Sequence, residues 1–264
     1  MESLLEIKDN IEKNYNLKIR SMEKEPNSTE KNVYILNCKN GKYVAKAYKN
    51  IEHTNTMCDL QGYLNKIGLN VPEIIKTKKK SPYIKIEERY IVIYSFLKGE
   101  QVGEIIKNNM LDNQTIALIA NKIRELHNVT KNKDFNLPES TFANKLERKS
   151  VLHYDLTKDN IFVYNGNIGF IDFDDAMYGD SVCDIAIAIL LLFISKSRGI
   201  DINGIKVFID SYYGEDIYLK QLEAPLIKEY ADEWIKSVIG KGNLDNSIIE
   251  SFKYKRKQIK YIEI

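Results

Sequence analysis

The chain has 264 residues, 44% hydrophobic and 29% charged, which is enough for one large domain or two lobes around a sizeable core. A net charge of +2 gives no overall field that would draw the molecule to nucleic acid or to a membrane, so neither is expected as a partner. Three cysteines (Cys38, Cys58 and Cys183) in no C-x-x-C pair, beside three histidines, exclude a disulfide scaffold and a zinc cage and fit reduced thiols in a cytoplasm. The N-terminus mixes acids into its first turns and lacks the apolar core of a secretory signal, and the longest apolar run, Ile185–Ile194, is too short to cross a bilayer.

Leu4, Leu5, Ile7, Ile11 and Tyr15 recur at helical spacing and predict a helix over 2–15. From Leu17 the pattern changes to short strands at 17–25, 33–37 and 42–48, separated by a polar loop at 26–32 and a Lys-Asn-Gly turn, which predicts a small antiparallel sheet. Lys46 sits in the last of these strands among Val44, Ala45 and Ala47. Two readings stay open for it: an inward ammonium on the α- and β-phosphates of a nucleotide, or an edge-strand lysine facing water. Residues 52–67 read as a helix with Met57, Leu60, Tyr63, Leu64 and Ile67 on one face and Gly68 as its stop. That helix offers Asp59 or Glu52 as an acid to hold Lys46. Ile74-Ile75 and Arg89–Ser95 read as strands, with Lys78-Lys79-Lys80 before Ser81-Pro82 as a solvated hairpin tip. The exit Ser95-Phe-Leu-Lys-Gly99 reads either as a hinge whose backbone at Ser95 and Leu97 pairs with an adenine edge, or as a plain strand-to-loop exit.

Beyond Gly99 helical patterns dominate, which puts the boundary near residue 97, with an N-terminal nucleotide-binding lobe at 1–97 and a catalytic and substrate-binding lobe at 98–264. Asn113–Val129 is amphipathic and closes on His127, read as a packed or capping histidine. Residues 130–150 are polar and irregular, with a short helix predicted at 141–148. Further helices are predicted at 181–198, 201–213, 217–240 and 245–262, separated by Gly199, Gly214 and Gly240-Lys-Gly242. Strands first and helices second, without alternation or internal repeat, describes an α+β protein in two lobes.

The densest chemistry lies between Val151 and Asp184. His153-Tyr-Asp155-Leu-Thr-Lys-Asp-Asn160 is followed by an apolar strand, a Tyr-Asn-Gly-Asn turn, a second strand and Asp172. Phosphoryl transfer needs an oriented nucleophile and magnesium across the phosphates more than it needs covalent help. Asp155 is the candidate base for an attacking hydroxyl, Asn160 offers an amide oxygen to the hard cation, and Asp172 is its principal carboxylate ligand. His153 reads as a loop-orienting residue and Lys158 as facing water. Asp174 and Asp175 extend the acidic cluster, and Asp180 and Asp184 read as carboxylates at the start of the aliphatic helix, on its free N–H groups and dipole.

The phrases His153-Tyr-Asp-Leu-Thr-Lys-Asp-Asn160-Ile-Phe-Val and Gly169-Phe-Ile-Asp172-Phe-Asp-Asp-Ala-Met-Tyr-Gly179-Asp-Ser-Val-Cys-Asp184-Ile-Ala resemble the aminoglycoside phosphotransferase and choline kinase superfamily. Leu126-His127 and Ser95–Gly99 are similar to that family's helix end and hinge. The resemblance implies a bilobal protein-kinase-like fold, with an antiparallel-sheet lobe carrying one main helix and a mainly helical C-terminal lobe. It also implies ATP or GTP, magnesium and phosphorylation of a small molecule's hydroxyl. Asp174 stands where protein kinases have the glycine of Asp-Phe-Gly, and the segment from His127 to His153 is shorter than in many relatives.

The acceptor expected from this resemblance is an aminoglycoside or related amino sugar, with choline, homoserine or a sugar metabolite as the alternative. A protein kinase or a nucleotide-binding regulator is the reading from a different class. Tyr230, Asp232, Glu233 and Trp234 read either as a site for a cationic amine or as the core and outer faces of an amphipathic helix. Lys253–Lys257 reads as a solvated basic face. A monomer or a homodimer is expected.

Overall fold

The alternating segments between Leu17 and Ser95 do become strands, because each has a buried face to cover. In the computed structural model, residues 4–25, 32–108, 111–146, 149–242 and 244–263 are described. The chain divides into two compact units, Met1–Lys98 and Gly99–Ile264.

The first unit contains α1 (Leu4–Asn14), β1 (Ile19–Lys24), β2 (Val33–Cys38), β3 (Gly41–Tyr48), α2 (Ile51–Lys66), β4 (Ile74–Ile75), β5 (Tyr83–Ile86) and β6 (Arg89–Ser95). The start of the predicted first helix and residues 26–31 of the polar loop lie outside the described residues. The strands form one antiparallel sheet in the order β1-β2-β3-β6-β4, with β5 also on β6. Leu36, Ala45, Ala47, Ile91 and Ile93 close a core with Ile7, Ile11 and Tyr15 of the N-terminal segment. Successive side chains alternate across a strand, so Lys46 lies on the other face from Ala45 and Ala47. On that side Val44 and Tyr48 pack with Cys58 of α2 and with Val92 and Tyr94. The Asn50 side chain accepts from the N–H groups of Glu52 and His53 and so caps α2. Lys78 is not a bare hairpin tip: its Nζ donates to the carbonyls of Glu12 and Lys13 at 3.1 and 2.8 Å, satisfying the C-terminal end of α1.

The second unit begins with β7 (Glu100–Gln101), α3 (Val102–Asn108) and α4 (Asn113–Thr130). Ile116, Ile119, Ile123 and Leu126 line the buried stripe of α4, each adding about 1.5–3 kcal/mol if fully buried. Four short strands follow: β8 (Lys149–Leu152), β9 (Ile161–Tyr164), β10 (Asn167–Phe170) and β11 (Met177–Asp180). β9 and β10 form a hairpin through Asn165-Gly166, both at positive φ (49° and 71°), the two-residue turn that matches strand twist. β11 pairs with β8, and β7 pairs with β9. The remaining elements are α5 (Val182–Ala188), a wide π-helical turn at Ile189–Phe193, β12 (Ile194–Ser195), β13 (Gly199–Ile200), α6 (Ile202–Tyr213), α7 (Ile217–Gly240) and α8 (Asn246–Ile259).

Two expectations are corrected here. The helix predicted to reach residue 198 ends at Phe193, because Ile194 turns extended and pairs with Ile200 across a turn closed by Gly199 at φ 76°. No helix forms over residues 141–146, and Glu147 and Arg148 lie outside the described residues. There the N–H of Ala143 bonds the Ser140 hydroxyl, those of Lys145 and Leu146 bond the Asp180 carboxylate, and the Ala143 carbonyl accepts from Asp180 N–H. One local acceptor, Ser140, and one distant one, Asp180, have replaced the helical ladder. Among the described residues no helix is long and apolar enough to cross a membrane.

Candidate active site

The loop between β8 and β9 carries Asp155 and Asn160, and β10 delivers Asp172 to it. Asn160 Nδ2 donates to both the backbone carbonyl and Oδ2 of Asp155, each at 2.9 Å. With the amide hydrogens spent on Asp155, the amide oxygen of Asn160 points the other way, as a metal ligand requires. Within the loop, Thr157 N–H bonds the Asp155 carbonyl at 2.8 Å and Asn160 N–H bonds the Thr157 carbonyl at 3.1 Å. The five-residue spacing of Asp155 and Asn160 is therefore the length of this turn.

Ile171 ties the end of β10 to the same loop. Its N–H donates to the Asn160 carbonyl at 3.0 Å, and its own carbonyl accepts from His153 Nε2 at 2.9 Å. His153 is fully buried, stacked against Phe173 at 4.4 Å between ring centroids, and thus orients the loop. Asp172 follows immediately and adopts φ 68°, a left-handed conformation that a non-glycine residue holds at a cost of about 1–3 kcal/mol. Asp172 is exposed, and its carboxylate acts on Asp155. Burial raises the pKa of Asp155; the charge of His153 opposes this, Asp175 and Asp172 add to it, and the Asn160 bond opposes it. Asp155, Asn160 and Asp172 are thus brought together.

Asp184 anchors the loop from behind. Its Oδ2 accepts from His153 N–H at 2.7 Å and its Oδ1 from Tyr154 N–H at 2.9 Å, while His127 Nε2 stands 3.1 Å from Oδ2. His127 Nδ1 in turn meets the Tyr212 hydroxyl at 2.7 Å. With Nε2–H donating to the carboxylate, Nδ1 accepts from tyrosine, so the neutral ring satisfies both partners. The loop turns sharply here, Tyr154 taking φ 65°.

Asp180 and Asp184 thus do not serve chiefly as helix caps, as their positions around the start of α5 suggest. Asp180 Oδ2 accepts from the backbone of Lys145 and Leu146 and from the Tyr230 hydroxyl, pinning the 140–146 segment and α7 to β11. Gly179 is required by the same seam, since a Cβ there would lie 2.8 Å from the Ala143 carbonyl oxygen. The partners of both aspartates lie about thirty or more positions away along the chain, so only the spacing of two acids around an apolar helix marks them in the sequence.

The remaining predicted site residues belong to the first unit. Lys46 is half-buried on β3. Asp59 is exposed on α2, next to Cys58, whose thiol is pushed up to about 12 by burial and by the Asp59 charge. Ser95 is pinned to Glu73: its N–H donates to the Glu73 carbonyl and its hydroxyl accepts from Glu73 N–H, both at 2.8 Å. The Ser95 N–H is therefore engaged within this unit. Leu97 is half-buried beyond the end of β6, outside any strand.

The donor set fits magnesium: the Asp172 carboxylate and the Asn160 amide oxygen, both hard ligands, lie beside the Asp155 carboxylate. Among the described residues no group of three His, Cys, Asp or Glu side chains forms a closed metal cage. The metal would take its remaining ligands from phosphate oxygens and water.

The helix predicted over 217–240 settles the reading of its aromatic and acidic residues. Tyr230 and Trp234 are core residues, and Asp232 is gripped by Arg256 through both carboxylate oxygens and by Lys236 at 2.9 Å.

The model of the phosphotransferase enzyme family matches residues 136–206, the stretch that contains Asp155, Asn160, Asp172 and Asp184. No curated protein matches the sequence. Solved structures resemble the chain along almost its whole length at low identity. An amicoumacin kinase in complex with AMP-PNP, calcium and amicoumacin has a TM-score of 0.72 at 14% identity, over 98% of this chain and 93% of that one. The GDP complex of an aminoglycoside 2′-phosphotransferase has 0.69 at 14%, over 98% and 97%. A microcompartment-associated aminopropanol kinase has 0.69 at 12%, over 97% and 95%. The family match is confined to residues 136–206, around the loop that carries Asp155 and Asn160, while over its whole length the chain has the α+β, kinase-like fold of these solved structures.

Proposed function

We propose that this chain transfers the γ-phosphoryl group of ATP or GTP to a hydroxyl of a small molecule, with magnesium, and that an aminoglycoside or related amino sugar is the acceptor. The observation that carries this reading is the Asn160 amide locked onto Asp155 with Asp172 fixed beside them through Ile171. Asp155 accepts the proton of the attacking hydroxyl and orients that oxygen toward the phosphorus. Asn160 and Asp172 hold magnesium, which when bound neutralises charge on the phosphates. Lys46 pairs with the α- and β-phosphates, Asp59 is assigned as its acid, and the adenine or guanine edge is read by backbone near Ser95 and Leu97, with Leu97 the better placed because the Ser95 N–H is engaged. The kinases of amicoumacin and of aminoglycosides among the similar structures support an amino-bearing acceptor.

A second reading is favoured by the charge pairing of α7. Asp232 is paired with Arg256 and Lys236, Glu233 with Lys236 at 2.7 Å, and Glu229 with Lys145. Acids already neutralised within the chain suit an acceptor with one amine or none, such as choline, homoserine or a sugar metabolite, better than a polycation. An ADP- and GDP-release screen of the purified chain with magnesium, against aminoglycosides, amino alcohols, homoserine and sugars, decides between them. Acceptor-dependent release is expected with at least one class; silence with every acceptor and both nucleotides would refute the phosphotransferase reading.

A further inference from the structure

The helix that carries Asp184 ends in a feature that the chemistry described so far does not use. After α5 the chain widens into the π-helical turn at Ile189–Phe193 and leaves it extended at Ile194, in a segment buried almost throughout. A helix C-terminus leaves carbonyls without intrahelical donors, and inside a core these need partners. The Phe193 carbonyl accepts from Asp201 N–H at 2.9 Å. The carbonyls of Leu190 and Ile194 are both taken by one group, Nζ of Lys255, which reaches in from α8. Lys255 is 8% exposed. Burial lowers its pKa to about 8, helped by the charges of Arg198 and Lys158, the latter from the loop between Asp155 and Asn160. A lysine amine at that cost is kept where two carbonyl acceptors need one donor at a single point.

We propose that Lys255 is a positioning residue for the catalytic loop: by holding the Leu190 and Ile194 carbonyls it fixes the end of α5, and through α5 the carboxylate of Asp184 on which the N–H groups of His153 and Tyr154 rest. π-helical turns inside α-helices recur at functional sites because they set a register that a regular helix would not. Without the amine, the turn relaxes toward regular helix or frays. Asp184 lies less than two turns upstream and shifts with it. The base at Asp155 directly follows the two residues Asp184 holds.

The proposal rests on Asp155 as the base, so the experiment reads the loop itself as well as turnover. Hydrogen exchange is followed by mass spectrometry on the full chain, wild type against Lys255→Met, which keeps the apolar stem and removes the donor. Exchange over residues 149–160 and 182–194 is expected to quicken at least tenfold, with residues 33–48 of the other unit unchanged. With any acceptor found by the screen, kcat is expected to fall at least tenfold while the nucleotide KM stays within twofold. Lys255→Gln, which keeps an N–H donor on a shorter stem, is expected to fall between wild type and Lys255→Met; it is judged by the same criterion if the Met variant does not fold. Wild-type exchange over 149–160, or equal quickening in 33–48, would overturn the proposal. A chain that turned over no acceptor would still give the exchange result, so a failed kinase reading and a failed role for Lys255 are separately visible.

Discussion

Asp184 is fully buried and serves a loop to which it does not belong. Replacing it with Asn sets an amide N–H₂ against two backbone N–H donors or withdraws an acceptor from them, and leaves His127 facing a weaker partner. Breaking a buried network of this kind costs about 3–5 kcal/mol. Urea denaturation of Asp184→Asn is expected to show a loss in that range, and a loss under about 1 kcal/mol would contradict the anchoring role. Asp172 is the opposite case, exposed and at positive φ, a strained position whose proposed role is in binding. Asp172→Ala is expected to weaken nucleotide binding only when magnesium is present; calorimetry showing unchanged affinity with the metal would contradict its assignment. The legibility of these residues follows their range. Asp155 and Asn160 could be read because one turn holds both. Asp184 and His127 could only be read as a cap and a packed ring, because their bonding partners stand 57 and 85 positions apart in the chain.

At the scale of elements, strands and helices with a local hydrophobic period were legible: β6 at Arg89–Ser95 and α6 and α7 fall within a residue of their expected bounds. The misses share one cause. β8 and β11 form only because they pair with each other, the 141–146 segment is held by Asp180, and the run through Ile194 breaks where a pairing partner at Ile200 is available. In each case a long-range bond outweighs local propensity. The link from α7 to α8 through Asp232 and Arg256 is of the same kind and can be tested by pH. Arg256, then Lys236, hold the Asp232 carboxyl down at about 2, below its ordinary range. A depressed carboxyl contributes stability that is present above its unfolded pKa of about 4 and is lost as pH falls through the folded value. Asp232→Asn is expected to cost about 1 kcal/mol at pH 7, as for a partly exposed bidentate pair, with the gap to wild type closing as pH falls from 4 toward 2. Equal stability at pH 7, or a gap undiminished at low pH, would contradict that contribution.

For the whole molecule, the fold class was legible because strand-first, helix-second patterning and one dense motif stretch point the same way, and the chain-long likeness in fold to solved kinase structures agrees. The acceptor was not, because the α7 acids that suggested a cation site spend their charge on Arg256, Lys236 and Lys145. The proposed function rests on one assignment, Asp155 as the base for transfer of a phosphoryl group to a hydroxyl. The measurement is acceptor-dependent nucleoside diphosphate release by Asp155→Ala beside wild type, with magnesium and with nucleotide affinity followed by calorimetry. Release is expected to fall by about 10²- to 10⁴-fold, the usual contribution of a positioned base, while nucleotide affinity stays within about twofold. Turnover at the wild-type rate with Asp155 removed would contradict the assignment.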